Sequence, residues 1–169
     1  MEIVRLDPKT VAIREIDPFA ARLLRRIPVE ADPGGDRAAR GRLFSKPAAG
    51  GQGRQARELN EEWQQYVEPE LRHLFQSANE TVSDDLKNIK QTGSVGGVEL
   101  YDLEIPIKHL EQWLNSLNQA RLVMAVRNGF TDAELDAEYP TIINSTRDMN
   151  LLQIHFYGFM QEYFVREMG

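Results

Sequence analysis

Between Ser145 and Met168 the large side chains Met149, Leu152, Phe156, Phe159, Met160 and Tyr163 recur at helical spacing, so this stretch must be an α-helix with one heavy apolar stripe. Gly158 lies well off the centre of that stripe. A second segment of the same kind is opened by Pro106 and closed by Asn128-Gly129. Its residues Leu110, Trp113, Leu114, Leu117, Ala120 and Met124 fall within about one face at ~100° per residue.

The same angular count puts Arg121 in the middle of the apolar arc of the second segment. A guanidinium there must either snorkel to an edge or be paired, because a lone buried charge is too costly to keep. Asp85, within the apolar arc of an earlier helix, and Glu162, at the margin of the last stripe, are its candidate partners. Asn118, one turn before Arg121, can assist. The ordinary reading is an ion pair that fixes helix register, and the sharper one is an anion-binding arginine in a pocket. His155 and Glu162, at i and i+7, share an edge of the last helix, where a structural hydrogen bond is expected rather than acid–base chemistry.

The chain before these helices is more mixed. Glu2 to Leu6 and Thr10 to Ile16 alternate around Asp7-Pro8-Lys9, which predicts a β-hairpin. Asp17-Pro18 then caps a short helix carrying Phe19, Leu23, Leu24 and Ile27, expected to stop at Pro28. A hairpin of this size cannot stand alone and must lie on the helices that follow. Residues 28–54, with three prolines and many glycines, read as a long flexible basic loop in which only Arg42-Leu43-Phe44 breaks the pattern. Leu43 and Phe44 read as anchors of that loop to the core, the alternative being a basic arm that orders on a partner.

From Gln55 an apolar arc of Leu59, Trp63, Tyr66 and Val67 opposes Glu58, Glu61, Glu62 and Gln65, and Pro69 should kink or restart the helix. The stripe resumes through Leu71, Leu74, Phe75, Ala78, Val82, Leu86 and Ile89. Gly93 to Gly97 reads as linker, and Val98 to Ile105 alternates again as a candidate third strand. Thr131-Asp132-Ala133-Glu134 is a capping-box pattern for a short helix ended by Tyr139-Pro140. The fold class is therefore mainly α, a helical bundle with a small N-terminal β-hairpin packed on it, in one domain over 1–169.

Several chemistries are absent from the sequence. It has no cysteine, hence no disulfide, thiolate metal site or cysteine nucleophile. Nucleophile-elbow, P-loop and dinucleotide fingerprints are missing. Glu70-x-x-His73 has di-iron spacing but occurs once, and His73 points away from the stripe, so no metal and no cofactor is expected. Net charge is +4 over residues 1–54 and −10 over 55–169, which argues against a nucleic-acid coat, although Arg37, Arg40, Arg42, Lys46 and Arg54 leave weak binding by the basic segment as a third alternative. Met1 to Leu6 lacks the pattern of a secretory signal and no apolar run approaches a membrane span, so the expected place is the cytoplasm.

Arg42-Leu43-Phe44, the run Trp113-Leu114-Asn115-Ser116-Leu117-Asn118-Gln119-Ala120-Arg121-Leu122 leading to Gly129, and Phe156-Tyr157-Gly158-Phe159-Met160-Gln161-Glu162 together resemble an uncharacterised bacterial family. Its members are small cytoplasmic helical proteins with a Trp-Leu-x-x-Leu-Asn-x-x-Arg-Leu helix. Many are encoded near the adaptor of the Clp protease, and some carry a label as transcriptional regulators. The resemblance implies a regulatory or adaptor-like role. The leading expectation is thus a non-enzymatic helical interaction module with a protein partner or a second copy of itself. The alternative is a small-molecule anion binder or enzyme using Arg121 in an interhelical cleft.

Overall fold

The computed structural model describes residues 1–169. Seven α-helices accompany one antiparallel sheet of four strands, which lie side by side in the order β1 (Glu2–Asp7), β2 (Thr10–Ile16), β4 (Val98–Pro106), β3 (Lys90–Val95). The first hairpin is as expected: β1 (Glu2–Asp7) and β2 (Thr10–Ile16) meet across a turn in which the Asp7 carboxylate accepts from the Lys9 N–H. β2 lies inside the sheet, with Val11, Ala12, Ile13 and Ile16 all buried. Its register with β4 shifts between Ile13 and Ile16, where Glu15 takes a φ of +53° and its N–H turns to the Asp102 carboxylate.

β4 (Val98–Pro106) is the third strand that alternation suggested. β3 (Lys90–Val95) is a correction to the linker reading of Gly93 to Gly97. Gly96 and Gly97, both at positive φ, make a tight turn that folds β3 back on β4. All six residues of β3 are exposed on the sheet edge, which leaves them no apolar alternation to betray the strand.

α1 (Pro18–Ala31) starts where expected, with the Asp17 carboxylate accepting from the Ala20 N–H at 2.8 Å. It does not stop at Pro28 but runs through it for one more turn. Ile27 and Ala31, on either side of that proline, are fully buried, so packing outweighs the lost backbone hydrogen bond. The supposed loop 28–54 also contains α2 (Arg37–Leu43), capped by Asp36 through the Ala39 N–H.

α3 (Arg54–Tyr66) and α4 (Glu68–Leu86) form the broken arm, with Pro69 in the first turn of the second piece. A 3₁₀ turn (Ile107–His109) leads into α5 (Leu110–Arg127). α6 (Asp132–Asp136) has the full capping box of Thr131 and Glu134. α7 (Thr146–Met168) is capped by Ser145, and no helix is long and apolar enough to cross a membrane.

One continuous core joins sheet and helices. Ile13, Ile16 and Leu103 of the sheet pack with Leu24 and Ile27 of α1, Trp113 and Leu117 of α5, and Met160 and Phe164 of α7. The hairpin therefore rests on the helices, as its size demanded. A smaller cluster of Ala39, Leu43, Phe44 and Val123 fixes α2 to α5, with Trp63, Leu71 and Phe75 packed around it.

Candidate functional site

α5 and α7 lie side by side, and Gly158 at the middle of α7 lets them accommodate the Arg121 side chain. A Cβ on Gly158 would stand 3.4 Å from the Arg121 Cζ and 3.6 Å from both Nε and Nη2. Three nearly equal distances mean that the planar guanidinium lies over the glycine. Its Nη1 donates to Gln161 Oε1 at 2.7 Å, and Gln161 Nε2 donates back to the Leu114 carbonyl at 3.3 Å, so Gln161 straps the two helices together.

Neither expected carboxylate pairs with Arg121. Asp85 is occupied elsewhere, Glu162 forms no salt bridge with it, and Asn118 is exposed. The ordinary ion-pair reading is thereby corrected. Arg121 Nε is buried with no acceptor, and the side chain borders a cavity of about 400 Å³ shared with Tyr139, Leu152, His155, Phe156, Phe159 and Glu162. A partly buried cation with an unmatched donor stays costly until an anion or water completes it.

His155 and Glu162 both line this cavity, but they do not hydrogen-bond to each other, against expectation. The i to i+7 spacing brought their Cβ atoms to one edge and left two turns between them. His155 Nε2 is buried without a partner. Burial, with the positive charge of Arg121 beside it, holds His155 below the ordinary imidazole pKa and therefore neutral at pH 7. Tyr139 flanks it at a ring separation of 6.2 Å, and Phe159 stacks on Tyr163 at 4.6 Å. The cleft thus offers one cation, one neutral imidazole, one carboxylate and an aromatic wall.

Asp85 was rightly placed on a buried face but with the wrong partner. It accepts the indole N–H of Trp113 at 2.9 Å, and both its oxygens lie 3.0 Å from His109 Nδ1. The signal for this was present, since a Trp on an apolar arc carries an N–H that must find an acceptor when buried. Arg42 is exposed, whereas Leu43 and Phe44 are buried and Phe44 stacks on Phe75 at 5.6 Å, as the anchoring reading had it. His73 is exposed, and no three His, Asp or Glu side chains converge as metal ligands.

A larger recess of about 570 Å³ lies where α1 ends against α2 and α4. It holds the buried amides Gln119 and Asn79, each with one unpaired atom. Its inner cation, Arg72, is already paired with Glu68 and stacked over Phe44 at 4.3 Å. The larger recess has a second cation, Arg40, which is exposed and unpaired, whereas in the smaller cleft the unpaired cation is half-buried among aromatic side chains, which makes that cleft the better candidate.

Compared with known proteins, residues 6–168 match the family model described as Domain of unknown function (DUF2017). No curated protein and no solved structure matches the chain.

Proposed function

The chain belongs to the DUF2017 family, whose description assigns no activity, and on that premise we propose that it is a non-enzymatic regulatory module of the cytoplasm that binds a small carboxylate in the α5–α7 cleft. The observation that carries this reading is Arg121, a half-buried guanidinium with no salt bridge that lines a cavity of about 400 Å³. With Nη1 on Gln161 and Nε buried, Nη2 is the donor left to make a charge-assisted hydrogen bond to a carboxylate. The aromatic wall supplies the apolar contact that such sites use for most of their affinity.

Binding rather than turnover is supported by the lining itself. His155 Nε2 touches no hydroxyl or carboxylate that would make a nucleophile and base of the pair. The test is titration of the wild type and an Arg121→Met variant with benzoate and 3-phenylpropionate, following amide resonances of residues 152–162. Shifts confined to the cleft and lost at least tenfold in the variant are expected. If neither acid moves those resonances, the reading fails.

Contact with a protein partner is a second reading, favoured by α3. None of its thirteen residues is buried, yet Leu59 and Tyr66 lie on one apolar arc that continues through Val67 to Leu74, all exposed. An amphipathic helix in this state gains stability by being covered. Sedimentation of the wild type against Leu59→Glu would show a smaller species for the variant if the cover is a second copy of the chain.

A further inference from the structure

We infer that the α5–α7 cleft holds a free α-amino acid with an apolar side chain, its carboxylate on Arg121 and its ammonium on Glu162. This rests on the carboxylate-binding reading and goes further by naming the class of acid.

The argument begins with two charges that share a cavity and do not meet. Arg121 and Glu162 both line the cleft, yet no salt bridge joins them. The guanidinium is held away by two contacts: it lies over Gly158, and its Nη1 is engaged by Gln161. Glu162 is four residues beyond Gly158 on α7, hence on the same face and about 6 Å further along the axis at 1.5 Å per residue. Cation and anion thus share one face of α7 without pairing, with open volume beside both.

A plain carboxylate would satisfy Arg121 but bring a second negative charge towards Glu162, which is unfavourable at this range. An inorganic anion would do the same and leave Phe156, Phe159 and Leu152 without an apolar group to cover. An α-amino acid meets all three demands. Its carboxylate and ammonium are borne on one carbon, so one molecule in the cavity can reach both groups through a hydrogen bond of about 3 Å at each end. Its side chain then lies along the aromatic wall. Discrimination against the acid lacking the amino group follows, because that analogue leaves Glu162 unpaired and facing like charge.

Competition titrations use L-phenylalanine, 3-phenylpropionate and phenethylamine with the wild type, Arg121→Met and Glu162→Gln. Glu162 is exposed, so its variant keeps the fold, to be checked by circular dichroism. In the wild type L-phenylalanine should bind about tenfold more tightly than 3-phenylpropionate, and Glu162→Gln should bring the two level. Equal or tighter binding of 3-phenylpropionate by the wild type overturns the amino-acid assignment while leaving carboxylate binding intact. Failure of both acids to bind removes the two readings together. Phenethylamine binding as tightly as L-phenylalanine would overturn the role of Arg121.

Discussion

The indole N–H of Trp113 donates to the Asp85 carboxylate at 2.9 Å in the interior, joining α5 to α4 through a tryptophan that is fully buried. His109 closes the other side of the same carboxylate. Because the indole N–H has no route to water, its acceptor matters more for stability than the charge does. Asp85→Ala should therefore cost about 2–3 kcal/mol, and Asp85→Asn, which keeps an acceptor oxygen, roughly half of that. Urea denaturation midpoints of the three proteins check this.

Gly158 serves the cleft by what it lacks. Alanine there would meet the Arg121 Cζ at 3.4 Å, an ordinary contact, while removing the helix penalty of glycine. Gly158→Ala is expected to stabilise the chain by about 0.5–1 kcal/mol and leave carboxylate binding in place. Gly158→Leu should push the guanidinium off α7 and abolish binding. Thermal melts and ligand titrations of the pair separate the two effects.

Tyr157 links α7 to α1 in the core, its O–H donating to the Leu23 carbonyl at 2.9 Å and accepting from Gln153 Nε2 at 2.6 Å. Tyr157→Phe strands the buried Gln153 amide, and a loss of about 2 kcal/mol is expected from chemical denaturation. The double variant Tyr157→Phe, Gln153→Leu should recover part of it, since both partners then become apolar.

The junction of α6 with α7 should loosen in acid. Glu134 accepts from Arg147, from the Thr131 N–H and from the Thr131 hydroxyl, and these hold its carboxyl down to about 2. A carboxylate depressed in the folded state adds stability that is complete above its unfolded value of about 4.5 and is lost as pH falls towards 2. The protection factors of residues 131–136 in hydrogen exchange, each rate taken relative to the intrinsic rate at that pH, should therefore fall across that window and stay constant between pH 5 and 7. Arg147→Gln should bring the Glu134 titration upward.

Where burial on one face imposes a period, the residues announce the structure. α5 and α7, the first hairpin, the Pro69 restart and the Thr131 capping box are all legible in this way. β3 is not, because a fully exposed edge strand needs no apolar alternation and is held by backbone pairing to β4. α2 is not either, since seven residues are too few to display a period, and Ala39 and Leu43 carry its attachment. The passage of α1 through Pro28 is decided by the burial of Ile27 and Ala31 on both sides.

For the site the division is sharper. The sequence by itself determined that Arg121 would lie on an inward face of α5, because helical periodicity fixes direction from the axis. It could not determine the partner. Which carboxylate reaches a given cation depends on how two helices are shifted and rotated against each other, and that is fixed by every side chain between them. Only the tertiary structure gave Asp85 to Trp113 and His109, set Arg121 over Gly158, and left Glu162 unpaired with it beside a shared cavity.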